Sequence, residues 1–363
     1  MKTSKKHYNI LATILLLLAS FSLRAQSEVV EFIKGGIGDG EKLFQAYLEP
    51  LGNAMGANLN GGWNNTAKVH GPLGFDITLT ITAAFPPETS KTFDLADVGL
   101  ESLKLRDPDQ SSIAPTFAGS RTKGPVLVFE HTDSDLVLVE FESIKGVGIP
   151  AYPLPMIKAG IGLPGGFELL GRFIPKYAYE DMQLHLWGAG FKYDILQFIP
   201  VVQRSPFINA SITGAYTRVL SSTDIDFQKS AYGAYAGGNP IQGGRDHYDN
   251  QHLDINMEGY TAMALLSYDL PVFTFFGGIG YSSSQTTVDL KGYYPLISAD
   301  VTNGTTSVFI EDLSDPIGLN FQNFSGLQYT GGIKIKLAAI TLHADYTSAN
   351  YSLITVGLGL SIR

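Results

Sequence analysis

Apolar and polar residues alternate one by one over long stretches of the chain, most regularly in its last segment. In LITVGLGLSIR, residues 353–363, every second residue from Ile354 to Ile362 is aliphatic, and the residues between them are Thr, Gly or Ser. Because successive side chains of a β-strand point to opposite faces, the pattern predicts a strand with one aliphatic face and one face of small or polar groups. The segment LGFDITLTITAAF, residues 73–85, has the same design.

Similar segments recur through the rest of the chain, and about thirteen of them are candidate strands. They include residues 125–131, 135–143, 157–164, 167–174, 182–194, 206–218, 258–269, 272–284, 331–337 and 340–346. Single-chain bacterial barrels have an even number of strands, so we expect about 12–14. For the segment 182–194 the pattern does not show which face would point inward.

The polar faces and the lengths of the segments favour a membrane barrel over a soluble sandwich. Charged residues make up only 16% of the chain, and the polar faces consist mostly of Thr, Ser, Gly and Asn. A solvated sheet would carry more charge, and the longer segments reach the roughly 9–11 residues that a tilted strand needs to cross a bilayer. We therefore predict an all-β fold, a transmembrane antiparallel barrel in which the last strand pairs with the first, near 73–85, and leaves no open edge.

The links between successive segments alternate between short and long. Short links lie near 196–205, 269–271 and 338–339, whereas the links 220–256 and 286–325 are long and polar. This alternation puts the long loops at one end of the barrel, as in outer-membrane barrels.

The first 25 residues have the pattern of a secretory signal peptide. Lys2, Lys5 and Lys6 precede the apolar run from Ile10 to Leu18, and small residues lead to a predicted cut after Ala25. The prediction divides the chain into a signal peptide (1–25), an N-terminal segment (26–68) and the barrel (69–363). It implies export and a place in the outer membrane.

Within residues 26–68, apolar residues change to helical spacing between residues 39 and 59. The apolar stripe consists of Leu43, Phe44, Tyr47, Leu48 and Leu51. Such a stripe needs an apolar partner. Two interpretations are open: a short helical plug inside the lumen, or a periplasmic lead-in to the barrel. Pro50 is expected to kink or end the helix.

These features together resemble Gram-negative outer-membrane β-barrels. In that class the final strand serves as a signal for the insertion machinery, although here the chain ends on Ile362-Arg363 rather than on an aromatic residue. The helical stretch before the first strand is similar to the N-terminal hatch of fatty-acid transporter barrels. The segment 52–68 also resembles an uncharacterised family of exported barrel proteins.

Two sets of residues are candidates for binding. The first is predicted to line the lumen, where charges tune selectivity or brace the barrel: Glu168, Arg172, Lys334, Lys336, His343 and Asp345. The second lies in a polar loop whose carboxylates and imidazoles are possible ligands of a divalent cation: Asp246, His247, Asp249, His252 and Asp254. A polar outer loop without a metal would have the same composition.

Composition narrows the function classes. The chain has no Cys and a net charge of −9, which exclude disulfides and argue against nucleic-acid binding. It contains no GxSxG or HExxH motif, so we expect neither an enzyme nor a cofactor. The leading hypothesis is passive transport of a small or hydrophobic solute through a plugged or gated lumen, with outer-membrane lipid around the barrel. The alternatives are a surface barrel whose long loops bind a partner, and a soluble secreted β-sandwich.

Overall fold

The computed structural model describes residues 37–130, 137–179, 181–198, 206–225, 250–302, 305–323 and 325–362. The predicted signal peptide and the start of the N-terminal segment lie outside the described residues, and the cleavage site stays a prediction.

The described residues form one long α-helix, eighteen strands and two short 3-10 turns at Glu88–Ser90 and Leu196–Phe198. The elements are α1 (Ile37–Asn60), β1 (Phe75–Phe85), β2 (Thr92–Asp94), β3 (Leu103–Leu105), β4 (Ile113–Pro115), β5 (Val126–Glu130), β6 (Val137–Glu142), β7 (Tyr152–Leu163), β8 (Phe167–Tyr179), β9 (Met182–Asp194), β10 (Ile208–Asp224), β11 (His252–Asp269), β12 (Phe273–Lys291), β13 (Tyr293–Thr302), β14 (Thr305–Ser314), β15 (Ile317–Gln322), β16 (Gly326–Leu337), β17 (Ile340–Ser348) and β18 (Ser352–Ile362).

Ten antiparallel strands close into a barrel. Their order is β11-β10-β9-β8-β7-β1-β18-β17-β16-β12, and β12 pairs with β11 to complete the ring. The predicted pairing of the last strand with the first is confirmed: β1 and β18 pair without interruption from Phe75 opposite Ile362 to Phe85 opposite Ser352. The all-β barrel class is confirmed as well.

The barrel has fewer strands than the expected 12–14, because some segments with a strand pattern fold outside it. The segments 125–131 and 135–143 give β5 and β6, which join β3 in a separate three-stranded sheet. These strands have five and six residues, too few for the roughly 9–11 that a membrane crossing needs. By contrast, β13 and β14 have ten residues each and lie within the segment 286–325, which was predicted as a loop; among the described residues they pair only with each other.

The two rims of the barrel differ. One rim, here called the short-turn rim, carries the links 164–166, 270–272 and 338–339. The opposite rim, the long-insertion rim, carries the long links 86–151, 225–251 and 292–325. The first of these insertions, which holds β2 to β6, was not predicted as a loop.

The outward face of the wall is apolar and exposed, whereas the inward face is polar and buried. Along β1 and β18, Ile77 is 50% exposed and Leu358 56%, while Thr80 and Thr355 are fully buried. An apolar outer band around a closed ring of strands matches the lipid-facing surface of a membrane barrel. Among the described residues, no helix combines the length and the apolar character that a membrane crossing requires.

Helix α1 lies inside the barrel, where it contacts β1, β7, β10, β11, β12 and β18. Its first half packs at the long-insertion rim, where the Asp39 carboxylate accepts hydrogen bonds from the backbone N–H groups of Glu101, Ser102 and Leu103. After α1 the chain continues to the short-turn rim, where β1 begins. Pro50 does not end the helix, which runs on to Asn60.

The predicted plug residues form part of one apolar core at the long-insertion rim. Leu43, Phe44, Tyr47 and Leu48 are buried in it, and Leu51 is partly buried at its edge. The core also contains residues of the first insertion, such as Phe117, and of β12 and β15. The apolar stripe of α1 therefore packs against the insertions and against the part of the wall next to the long-insertion rim.

The second half of α1 approaches the wall closely at β12. A Cβ atom at Gly56 would lie 2.0 Å from the Ser284 hydroxyl oxygen, and one at Gly52 would lie 2.7 Å from the Asn323 side-chain oxygen. The wall side chains would have to shift to admit such an atom, so glycine at both positions lets the helix approach the wall closely.

Candidate functional site: the plugged lumen

An inward-facing arginine holds the end of the plug helix. The Arg172 guanidinium on β8 donates hydrogen bonds to the carbonyls of Leu59 (3.1 Å) and Gly61 (2.8 Å) and stacks on the Trp63 ring, 3.6 Å from its centroid. Carbonyls in the last turn of a helix lack intrahelical partners and form the negative end of the helix dipole. A cation in this place therefore both caps the helix and neutralises its end.

Three buried lysines bind the chain that follows the helix. Lys158 donates to the Trp63 carbonyl (3.2 Å), Lys192 to the Thr66 carbonyl (3.1 Å) and Lys334 to the Asn65 side-chain oxygen (3.1 Å). These residues belong to β7, β9 and β16. The three lysines therefore hold the plug from three different strands of the wall.

The structure places the predicted lumen residues on the inner face of the wall. Five of them are buried there, namely Glu168, Arg172, Lys334, His343 and Asp345, and Lys336 is half-buried near the short-turn rim. His343 occupies space that Gly357 leaves open, because a Cβ at that glycine would lie 2.0 Å from the ring. Most of the cations hold the plug rather than an open channel.

Sequence reasoning missed Lys158 and Lys192. Lys158 alternates with Ile157 and Ala159, so its place on the polar face was readable from the strand pattern. The inward face of the segment that became β9 was ambiguous, because Gly and apolar residues stand on both of its faces. The partners of both lysines belong to the plug, which no strand pattern reveals.

The predicted metal loop is only partly described. Asp246, His247 and Asp249 lie outside the described residues. His252 and Asp254 lie at the start of β11, with 3.6 Å between the His252 Nε2 and the nearer Asp254 oxygen, and each side chain is about one third exposed. Two ligands alone do not make a cation site, so this prediction stays untested.

The backbone ladder between β7 and β8 starts at the short-turn rim and stops about halfway to the long-insertion rim. Among the described residues of these strands, backbone pairs run from Leu163–Phe167 only to Ile157–Phe173. Continuing that register would set Pro155 opposite Pro175, and neither residue has an N–H to donate. Strand β8 also bulges between Ile174 and Tyr177 where it pairs with β9. The half of the seam between β7 and β8 that lies toward the long-insertion rim is therefore open, because no backbone pairs close it.

An apolar cavity of about 100 Å³ occupies this open seam. It is lined by Leu79, Pro155, Met156, Ile157, Phe173, Ile174, Pro175, Lys176 and Tyr177. Leu79 and Phe173 belong to the outward lipid-facing surface, whereas Met156 and Ile174 are buried in an apolar cluster with Leu59 of the plug. The cavity therefore has apolar walls on both the outer and the inner side of the barrel.

The fold and the lumen define a plugged antiparallel barrel of the transmembrane type. The sequence matches the family of unknown function DUF6588 over residues 1–362, and the chain belongs to that family. No curated protein matches the sequence.

Solved structures with a similar arrangement are themselves barrels. The translocator domain of the autotransporter NalP from Neisseria meningitidis is 10% identical, with a TM-score of 0.31, and the match covers 85% of this chain and 93% of that one. The outer membrane protease OmpT from Escherichia coli is 9% identical, with a TM-score of 0.32, and the match covers 84% of this chain and 100% of that one. The toluene transporter TodX from Pseudomonas putida is 10% identical, with a TM-score of 0.27, and the match covers 80% of this chain and 68% of that one. At such low similarity, no functional conclusion rests on these proteins.

Proposed function

We propose that this protein resides in the outer membrane and passively transports small hydrophobic solutes between the plugged lumen and the surrounding lipid. The observation that carries the proposal is the open seam between β7 and β8, with its apolar cavity between the lipid-facing surface and the interior. The proposal includes neither an enzymatic activity nor a cofactor.

An interrupted ladder within an apolar band is costly, which argues that the opening has a use. Unpaired backbone groups in a hydrocarbon environment cost several kcal/mol each, and a closed barrel normally has none. Pro155 lies opposite Ile81 of β1, well within the apolar band. Proline at 155 and 175 removes donors that would otherwise stay unpaired, so the opening is built into the sequence.

The interior beside the seam suits an apolar solute. Met156 and Ile174 flank the seam on its inner side and pack with Leu59, Leu186 and Met257. An apolar cavity of about 150 Å³ binds benzene, so this one, at about 100 Å³, has room for an alkyl group or for part of an aromatic ring. An opening of this kind would admit an alkyl or aromatic group, while the cation-bound plug would exclude water and ions from the rest of the lumen.

A matched pair of tryptophan substitutions tests this function. Leu79 lines the cavity, and Leu358 is its direct partner on β18, lies on the same outward face and does not line it. Both variants are expressed in the outer membrane of a Gram-negative host, and initial uptake of radiolabelled toluene is measured. We expect Leu79→Trp to lower uptake about tenfold, an effect of roughly 1.4 kcal/mol, because the indole fills the cavity, whereas Leu358→Trp keeps it.

Both variants should remain folded, which is checked by the difference in gel mobility between boiled and unboiled samples. Equal toluene uptake by cells with and without the wild-type barrel would rule out the proposal. The alternative would then be a surface barrel whose long insertions bind a partner.

A further inference from the structure

Three potential metal ligands meet just inside the short-turn rim. His70 lies on the segment between the plug and β1, Asp76 on β1 and Glu168 on β8. The Nδ1 of His70 is 3.1 Å from Glu168 Oε1 and 3.9 Å from Asp76 Oδ1. Among the described residues, these three form a group whose ligand atoms all lie within 4.8 Å of one another.

The Nδ1 atom of His70 is buried and lacks a hydrogen-bond partner of acceptable geometry, although it points at the two carboxylates. Only 8% of the side chain is exposed. The other ring nitrogen, Nε2, lies 3.3 Å from the Ser361 hydroxyl, and the backbone N–H of His70 donates to Glu168 Oε2. If Nε2 carries the ring hydrogen, the Nδ1 lone pair faces two carboxylate oxygens, which requires a cation between them.

The wall leaves room for such a cation. A Cβ at Gly160 on β7 would lie 2.7 Å from both Asp76 Oδ1 and Glu168 Oε1, the two oxygens that face His70. Thr78 donates to the other Asp76 oxygen and holds that carboxylate in place. The two oxygens thus keep a free side, bounded by glycine and by the imidazole.

We propose that His70, Asp76 and Glu168 bind a divalent transition metal ion of the Zn²⁺ class. Zinc takes imidazole nitrogen and carboxylate oxygen at about 2.0–2.2 Å, which separates neighbouring ligands in a tetrahedral site by roughly 3.3–3.6 Å. The two separations of 3.1 and 3.9 Å that involve Nδ1 bracket this range. One imidazole and two carboxylates also match zinc better than calcium, which prefers oxygen ligands alone.

The bound ion would join three parts of the molecule. His70 is fixed to the plug, whereas Asp76 and Glu168 belong to two strands separated by β7. Metal binding would therefore tie the end of the plug to the wall at the short-turn rim. This role is independent of transport through the open part of the seam, which lies toward the long-insertion rim.

A proton competes with the metal for this place. A protonated His70 would pair with the same carboxylates, and Lys192 and Lys158 contribute positive charge nearby. The experiment must therefore separate an ion pair of imidazolium and carboxylate from a metal site.

The experiment uses the full chain in detergent, stripped with a chelator and titrated with Co²⁺ and then Zn²⁺ at neutral pH. We expect about one ion per chain, visible Co²⁺ absorption of a low-coordinate nitrogen and oxygen site, and loss of that absorption when Zn²⁺ displaces Co²⁺. His70→Gln should lower the affinity for both ions at least tenfold. The matched control His185→Gln, a histidine near the start of β9 at the long-insertion rim, should not.

The conservative variant Glu168→Gln should also weaken binding, and gel mobility of unboiled samples reports whether each variant folds. Absence of stoichiometric Co²⁺ binding to the folded wild-type protein would overturn the proposal in favour of the ion pair. Unchanged binding in folded His70→Gln would overturn it too.

Discussion

Two seams of the same barrel are built in opposite ways. Between β1 and β18, each residue from Phe75 to Phe85 has a partner, and the outward side chains are apolar from Phe75 and Ile362 as far as Ala83 and Ile354. Between β7 and β8 only seven pairs form, from Leu163–Phe167 to Ile157–Phe173, and the upper part holds prolines and an apolar cavity.

The difference shows that the seam that closes the ring of strands and the seam that leaves an opening to the interior lie in separate parts of the wall. A barrel needs a complete ladder where its two chain ends meet, because an open edge there would unravel the ring. Between two consecutive strands of one hairpin, the turn at 164–166 already holds the strands together. A local opening can therefore be tolerated at that hairpin.

The largest expected effect comes from disrupting the complete seam. A Cβ at Gly359 of β18 would lie 2.4 Å from the Thr78 hydroxyl and 2.8 Å from the Ile77 carbonyl, and that backbone atom cannot move aside easily. We expect Gly359→Val to abolish the folded barrel, seen as loss of the gel-mobility shift between boiled and unboiled samples. The control Gly331→Val on β16, where nothing lies within 4 Å, should retain the shift. Folding of both variants would contradict this account of the seam.

An intermediate effect is expected at Arg172, whose strand neighbour Phe173 belongs to the last β7–β8 pair. Arg172→Met removes the charged donor from the carbonyls of Leu59 and Gly61. We expect a loss of about 2–4 kcal/mol in the free energy of unfolding, since buried acceptors would stay unpaired. Urea titration reports it through Trp63 fluorescence when the other tryptophan, Trp187, is replaced by Phe.

The control for this change is Arg218→Met. The Arg218 side chain is 39% exposed and lies 3.5 Å from Glu258, so its loss should cost less than about 1 kcal/mol. Equal losses in the two variants would show that Arg172 does not hold the plug.

The smallest of these effects is expected from giving the open seam its missing donors. The double variant Pro155→Thr with Pro175→Thr should let the β7–β8 ladder extend and narrow the cavity. We expect toluene uptake to fall about tenfold, equivalent to roughly 1.4 kcal/mol, with no loss of folded protein. The control pair Pro108→Thr with Pro271→Thr changes prolines in turns outside the wall. Uptake that stays the same in both double variants would show that the prolines do not keep the seam open.

Strand alternation was enough to predict the wall and its closure. The segments 73–85 and 353–363 show it residue by residue, because one face must match lipid and the other must fit a crowded interior. The number of strands was harder to predict. The pattern in 125–131 and 135–143 is less regular, with runs of apolar residues at 126–129 and 136–139, and these segments are also shorter than the membrane strands.

The sequence by itself determined the outward apolar face, the inward polar face and the presence of a helix before the first strand. Those features depend on local periodicity, which each segment carries alone. The tertiary structure decided which cations hold the plug, that the β7–β8 ladder stops before Pro155 and Pro175, and that His70 meets Glu168. These arrangements depend on strand register and on where the plug passes through the barrel, so residues about one hundred positions apart become neighbours only when the ring closes.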